Sequence, residues 1–163
     1  MNNGFPDDLT VGRMFSFLTK QYIGFLTKRM EKTPIERYYY PLYLIGRNSG
    51  TISQQQLANL ILTDKVSMCR MIDSLAEEGL VERKVNPGDR RQHLLHITEK
   101  GLPWVGEIEK ALQETDELFL NLLPEEERSL FRQQLKKMIS ITKDLPVEQV
   151  EVFYNRVNDT HHD

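Results

Sequence analysis

The sequence predicts a mainly α-helical domain with one small β-hairpin. Apolar residues recur at steps of three and four over most of the chain, which is the period of an amphipathic helix. The period changes near residues 80–97, where two short strand-like runs flank the turn sequence Asn86-Pro87-Gly88. The chain has 163 residues, of which 39% are hydrophobic and 28% charged, and this favours a single globular domain over residues 1–163 with a core of its own.

Composition also narrows the class of protein. No apolar run approaches the roughly 20 residues that a membrane helix needs, so no membrane association is expected. The first eight residues have neither the basic nor the apolar region of a secretory signal. Cys69 is the single cysteine, so an internal disulfide is excluded. We therefore expect a cytoplasmic protein.

Two helices are predicted at the start of the chain. An apolar stripe predicts the first over residues 8–31, with Asp7 or Asp8 as its N-cap. The run Thr33-Pro34-Ile35-Glu36 combines a capping residue, a proline suited to the first helical position and a glutamate that completes a capping box. The second helix should therefore begin there and reach Arg47, with a kink at Pro41, which lacks a backbone N–H.

Two shorter helices follow. Ser53-x-x-Gln56 is a capping box that opens the first of them. Thr63-Asp64 caps the second, which Gly79 ends in a left-handed conformation with Leu80 as its hydrophobic seal. The inward stripe of this second short helix consists of Met68, Met71, Ile72 and Leu75. Strands are then predicted over residues 80–85 and 92–97.

Long helices occupy the rest of the chain. Apolar residues repeat with the helical period from Trp104 to Leu122, and Pro124 with three glutamates begins a last long helix. The stripe of that last helix consists of Phe131, Leu135, Met138, Ile139 and Thr142. Residues 147–157 are expected to add a short helix. The stripes at both ends of the chain exceed what one small domain covers easily, so they predict a partner surface.

The central segment, residues 33–101, predicts a winged helix-turn-helix. Two short capped helices are separated by a three-residue turn, and the hairpin that follows takes the place of a wing. The face of the second short helix opposite its apolar stripe consists of Lys65, Val66, Ser67, Cys69, Arg70, Asp73 and Ser74. Lys65, Ser67 and Arg70 can donate to phosphates or base edges in a major groove, and Arg70 is the first candidate for a bidentate contact with guanine.

The hairpin tip offers a second cationic point. Arg90 or Arg91 could enter a narrow minor groove, and Asp89 is close enough to pair with one of them. Residues 1–97 carry 13 Lys+Arg against 10 Asp+Glu, whereas residues 98–163 carry 8 against 14. A nucleic-acid binder needs cations only on the face that meets phosphate, so the net charge of −3 is compatible with DNA binding. Ordinary solvated surface charges remain the alternative.

Taken jointly, residues 53–101 resemble the MarR (multiple antibiotic resistance regulator) family of winged helix-turn-helix transcription factors. The motifs that carry the resemblance are Leu57-Ala58, Arg70-x-x-Asp73-x-Leu75-x-x-x-Gly79-Leu80-Val81-x-Arg83, Asp89-x-Arg91 and Ile97-Thr98-x-x-Gly101. Ile97 replaces the family's leucine. The usual glycine between the two short helices is absent, and Leu62 is near that place.

The resemblance implies a homodimer that binds pseudo-palindromic double-stranded DNA. Its second short helix would enter the major groove and a wing arginine the minor groove, which assigns DNA contacts to Lys65, Ser67, Arg70, Arg90 and Arg91. Ser53 and Gln55 would contact phosphates from the preceding helix. Dimerisation would use the terminal helices, residues 8–31 and 104–157. Small aromatic ligands bind many such regulators between the dimer region and the DNA-binding lobe.

Two further features have alternative interpretations. Tyrosines cluster on the second helix, and we expect Phe15, Tyr38, Tyr39 and Tyr43 to line an effector pocket, or else to form interface core. Cys69, near a helix N-terminus and Lys65, is either a thiol-based redox sensor or a small half-buried residue.

The sequence therefore predicts a sequence-specific DNA-binding regulator, a ligand-responsive repressor acting as a homodimer. The rival is a winged-helix protein-interaction module that does not bind DNA. No enzyme is expected, because no Ser, His and Asp or paired carboxylates have a catalytic spacing. No cofactor or metal is expected either, since His93 and His96 are three residues apart in a strand and face opposite sides.

Overall fold

A computed structural model describes residues 9–33, 35, 38–142 and 145. Its elements in chain order are α1 (Val11–Arg29), α2 (Tyr39–Arg47), α3 (Gln54–Leu60), α4 (Lys65–Glu77), β1 (Val81–Asn86), β2 (Asp89–Ile97), α5 (Leu102–Leu120) and α6 (Glu125–Thr142). The predicted fold class, mainly α with one antiparallel hairpin, is confirmed. The short helix expected over residues 147–157 lies outside the described residues.

The start of α1 differs slightly from the prediction. The helix begins one residue after Thr10, which occupies the N-cap position with an extended backbone. Asp7 and Asp8, the predicted caps, lie outside the described residues. The end of the helix at Arg29 falls within the predicted range of 8–31.

The predicted start of α2 at residue 33 is wrong. The Thr33 hydroxyl donates to the carbonyl of Met30 at 2.7 Å, so Thr33 contributes to the end of α1. The helix starts at Tyr39, after Tyr38 has turned the chain with a left-handed φ of 63°. Pro41 is therefore the third helical residue, where a backbone N–H has no intrahelical partner in any case, and the expected mid-helix kink does not apply.

A single core lies between the central helices and the hairpin. The predicted stripe of α4 is confirmed, because Met68, Ile72 and Leu75 are fully buried and Met71 packs against them. Fully buried side chains from the other central elements complete this core, among them Leu42, Ile45, Leu57, Leu80, Leu95 and Ile108. The elements α3, α4 and the hairpin are thus held on one rigid support.

The hairpin is longer than predicted. Its strands pair from Val81 opposite Ile97 to Val85 opposite His93, and the register then shifts so that Asn86 faces Asp89. Three residues of β2, Arg90, Arg91 and Gln92, fall within this irregular tip. The Asn86 side chain accepts a hydrogen bond from the Gly88 N–H at 2.9 Å, which stabilises the turn.

Helices α1 and α6 are much less buried than the central elements. The rings of Tyr22 and Phe25 on α1 contact Phe119 on α5, and the Tyr22 hydroxyl donates to Asp116 at 2.7 Å. Burial and this hydrogen bond raise the pKa of the Tyr22 hydroxyl above its ordinary value. None of the residues of α6, all of them described, is buried. The apolar stripe predicted for this helix therefore faces outward in the single chain.

Candidate nucleic-acid interface

The two short helices begin at side-chain caps that the sequence predicted. At α3 the Ser53 Oγ accepts from the Gln56 N–H at 3.2 Å, and the Gln56 Oε1 accepts from the Ser53 N–H at 2.8 Å, which confirms the capping box. At α4 one carboxylate oxygen of Asp64 accepts from the N–H groups of Val66 and Ser67. The first turns of both helices are thereby fixed in place.

The turn between α3 and α4 uses a leucine where glycine is usual. Leu62 has a φ of 54° and is 66% exposed, and the following Thr63 N–H donates back to the Ala58 carbonyl at 3.0 Å. The end of α4 repeats this arrangement with a glycine, because Gly79 has a φ of 70° and the Leu80 N–H donates to the Leu75 carbonyl at 2.9 Å. Both are Schellman motifs, so Leu62 adopts the geometry that the family's glycine would supply.

The outward face of α4 presents two cations. Lys65 and Arg70 are exposed, as predicted. Ser67 is only 5% exposed, so its predicted place on the outward face is wrong. Successive helical residues are rotated by about 100°, which leaves Ser67 on the flank of the buried stripe and Arg70 near the centre of the opposite face.

A group of four polar residues fastens α3, α4 and the wing to one another; we call Gln54, Cys69, Asp73 and Arg83 the Arg83 clamp. The Arg83 guanidinium lies 2.7 Å from an Asp73 carboxylate oxygen and donates to the Gln54 Oε1 at 3.2 Å. It also donates to the Cys69 carbonyl at 3.5 Å, while the Gln54 amide donates to the Cys69 Sγ at 3.0 Å. Because Arg83 belongs to β1, these contacts hold the wing against both helices.

The sequence motifs include Asp73 and Arg83 without indicating a role for either residue. Their spacing of ten residues crosses the end of a helix and the start of a strand, and no local rule pairs residues over such a junction. Cys69, the candidate sensor, is half-buried within the clamp.

The wing tip is held by Asp89 in a way that the sequence did not predict. Its carboxylate accepts hydrogen bonds from the Arg91 backbone N–H at 3.0 Å and from the Gln92 amide at 2.9 Å. In the part of the chain that the structure describes, the expected ion pair between Asp89 and a neighbouring guanidinium is not formed. Arg90 and Arg91 are both exposed.

Four of the predicted DNA contacts border one cleft. A cleft of about 570 Å³ is lined by Gln55 from α3, Lys65 from α4 and Arg91 from the wing, and lies between these elements. Arg70 and Arg90 are not part of its lining. Ser53 borders the cleft as well, but it is only 3% exposed and its hydroxyl is engaged in the capping box, which differs from the free phosphate donor that was expected.

The four residues predicted for an effector pocket lie in different settings. Tyr39 belongs to the core at 9% exposure and Tyr38 packs against that core. Tyr43 stacks on Tyr40 with 6.3 Å between ring centroids, and its hydroxyl donates to Glu109 at 3.5 Å. Phe15 is 43% exposed on α1.

The capped helix pair and the hairpin that Arg83 fastens to it define a winged helix-turn-helix protein. In the described residues, no helix has both the length and the apolarity to cross a membrane. Comparisons with known proteins point to one family. The model of the MarR family matches residues 36–92, so the helix-turn-helix and most of the wing are similar to that family.

A curated relative and solved structures are also similar to this chain. A candidate transcriptional regulatory protein for the hcr operon of Thauera aromatica is 32% identical over 108 residues, which are 66% of this chain and 64% of that protein. The chain thus spans slightly less than two thirds of the length of this relative. The crystal structure of an S. aureus MepR–DNA complex matches with a TM-score of 0.75 and 18% identity, over 82% of this chain and 99% of that chain. CouR from Rhodococcus jostii RHA1, bound to p-coumaroyl-CoA, matches with a TM-score of 0.70 and 23% identity, over 87% and 96% of the two chains.

Proposed function

We propose that this protein is a transcriptional regulator that binds a specific DNA sequence as a homodimer. The observation that carries the proposal is the placement of Lys65, Arg70 and Arg91 on exposed surfaces of a fastened helix and wing. MepR, which has the same fold, was crystallised with DNA. Cations presented on one face supply the phosphate contacts that dominate DNA affinity.

The recognition element is α4. A helix of 13 residues is about 20 Å long and fits the major groove. Arg70 lies on the outward face and has the planar donor pair that guanine accepts at two positions. Gln55 and Lys65, on either side of the cleft, are in place to contact backbone phosphates and fix the register of the helix.

The wing supplies a second contact. Arg91 lines the cleft shared with α3 and α4, whereas Arg90 does not, as expected for neighbours in a strand. We therefore assign Arg91 to the backbone phosphates beside α4, and Arg90 to the minor groove, whose negative potential attracts a guanidinium. Asp89 contributes by holding the backbone of the tip rather than by contacting DNA.

Dimerisation through the terminal helices is supported by the apolar surface that the single chain leaves uncovered. Exposed large apolar side chains on α1 and α6 include Val11, Phe15, Leu18, Phe131, Met138 and Ile139. Apolar surface of this extent on both ends of a domain marks a partner interface. A two-fold symmetric dimer would place two α4 helices about 34 Å apart, one turn of DNA, and would bind a pseudo-palindromic operator.

The test is selection of duplexes from a random pool, followed by affinity measurements over a range of salt concentrations. Arg91→Ala and Lys65→Ala should each lower the slope of log affinity against log salt by about 2, because each substitution removes one phosphate contact in each half-site of the homodimer complex. Arg70→Ala should relax base preference at one position per half-site. Lys136→Ala on α6 is the matched control and should change neither quantity. A protein that enriches no duplex, as the rival interaction module would, contradicts the proposal.

We also propose that a small aromatic ligand weakens DNA binding, so that the protein acts as a ligand-responsive repressor. CouR, of similar fold, was crystallised with an aromatic thioester, and the stacked pair Tyr40 and Tyr43 lies beside Glu109 and Arg47 where α2 meets α5. A ligand bound there would change the separation of the two α4 helices. Titrating aromatic carboxylates against the DNA complex tests this: release of DNA by the wild type, and weaker release for Tyr43→Ala, is expected. Release that is equal for both proteins contradicts the assignment of the site.

A further inference from the structure

Val66 is an exposed apolar residue at the centre of the recognition surface. It is the second residue of α4, and its side chain is 60% exposed. At about 100° per residue, it lies on the same line as Arg70 and opposite the buried residues Met68 and Leu75. Lys65 and Ser67, its neighbours in sequence, lie on the two flanks of this line.

The stability of the fold does not explain why this position is a valine. Valine is β-branched and loses side-chain freedom in a helix, so it is a weaker helix former than alanine by about half a kcal/mol. Its backbone N–H donates to Asp64 at 2.7 Å, and any residue other than proline would make that bond equally well. The side chain covers no part of the core. Its contribution should therefore lie outside the chain.

The chemistry of the major groove offers one apolar partner. Among the groups that base edges present there, hydrogen-bond donors and acceptors predominate, and the exception is the C5-methyl group of thymine. Residues at the start of a recognition helix are the ones that contact base edges. We propose that Val66 is a specificity-determining residue that contacts a thymine methyl group in each half-site. This inference rests on the proposed DNA-binding function.

The position of Val66 also predicts where that thymine lies. Val66 precedes Arg70 by one helical turn, which is a rise of about 6 Å. Base pairs are stacked about 3.4 Å apart. With Arg70 on guanine, the thymine read by Val66 should therefore lie within about two base pairs of that guanine, and in symmetric positions of the two half-sites.

The experiment replaces thymine by deoxyuridine, one position at a time, in the duplex that the wild-type protein selects. Deoxyuridine keeps the base pair and lacks only the methyl group. At the position read by Val66 the wild type should lose roughly fourfold in affinity per half-site, as expected for exposing about one methylene equivalent of apolar surface. Val66→Ala should bind the thymine and deoxyuridine duplexes equally. Leu60→Ala, which truncates a side chain of similar exposure (57%) on α3, should retain the preference of the wild type.

The outcomes separate this inference from the proposed function. If the wild type binds its selected duplex and no deoxyuridine replacement within two base pairs of the guanine weakens binding, Val66 does not read thymine, although the protein still binds DNA. The same conclusion follows if Val66→Ala keeps the full preference for thymine. If no duplex is selected at all, the proposed function is overturned, and the role of Val66 with it.

Discussion

The central lobe, from α2 to the hairpin, and the last helix α6 have the same sequence pattern but bury it to different extents. The stripe of α4 and the stripe of α6 both repeat apolar residues at steps of three and four. In α4, Met68, Ile72 and Leu75 are fully buried. In α6, Phe131 is 41% and Ile139 is 65% exposed. The lobe completes its core within one chain, whereas α6 leaves its stripe open.

Because of this difference, the two regions depend on different contacts for their stability. The side chains of the lobe already have their partners, including the polar partners that the Arg83 clamp supplies. Those of α6 are not buried in the single chain and, in the dimer that we propose, would be covered by a second copy; burial of apolar surface would drive that association. We therefore assign DNA recognition to the self-contained region and assembly to the open one.

A charge placed on the open stripe should give the largest effect. Phe131→Asp would place a carboxylate in the symmetric interface twice and remove two buried rings, each worth about 1.5–3 kcal/mol. We expect the dissociation constant of the dimer to rise at least a hundredfold, and the molecular mass by light scattering to fall to that of one chain. Gln133→Asp introduces the same charge on the opposite face of α6 and should leave the mass unchanged. Equal behaviour of the two variants would mean that α6 does not form the interface.

Removing the Arg83 clamp should have the next largest effect, within the lobe. Arg83→Met keeps most of the side-chain stem and removes the hydrogen bonds to Gln54 and Asp73. We expect the free energy of unfolding to fall by about 1–2 kcal/mol and DNA affinity to fall about tenfold. The dimer should persist, since the clamp lies away from α6.

The salt dependence of DNA binding distinguishes this positioning role from a direct phosphate contact. Arg83→Met should leave the slope of log affinity against log salt unchanged, in contrast to Arg91→Ala. Adding Asp73→Asn to Arg83→Met should weaken binding little further, because both changes break the same ion pair. A reduced salt slope for Arg83→Met would show that Arg83 itself contacts the backbone of DNA.

The two left-handed turns should give the smallest effects, with opposite signs. Leu62→Gly relieves a strained backbone, worth about 1–2 kcal/mol for an L-residue and partly offset by the greater freedom of glycine when unfolded. We expect a net gain in unfolding free energy of about 0.5 kcal/mol by chemical denaturation. Gly79→Ala introduces the same strain at the end of α4 and should lower stability by about 1 kcal/mol. A loss of stability in Leu62→Gly would mean that the leucine side chain contributes contacts that outweigh the strain.

Much of the lobe could be predicted because its signals are local. Ser53 with Gln56 and Asp64 with the N–H groups after it form caps within one helical turn. The stripe from Met68 to Leu75 and the turn at Gly88 likewise depend only on near neighbours in the chain. The same applies to Gly79, whose left-handed conformation follows from the end of the helix it terminates.

Where the prediction was wrong, contacts between distant or competing groups decided the outcome. Thr33 had the signature of a cap for α2, yet its hydroxyl bonds to the last turn of α1. Ser67 is an exception, because helical spacing alone already places it on the flank of the buried stripe of α4, and it is 5% exposed. The Asp89 carboxylate accepts hydrogen bonds from a backbone N–H and a side-chain amide instead of pairing with a guanidinium. The Arg83 clamp joins three elements, and spacing along the chain does not reveal such a contact.

The mass of the protein–DNA complex tests the central claim most directly. Sedimentation equilibrium of the full chain with its selected duplex should give two protein molecules per duplex. This is the ratio expected if one α4 and one wing occupy each half of the operator. The claim would be contradicted by a complex with one chain per duplex that has the full affinity measured for the operator. A dimer that selects no duplex would contradict it as well.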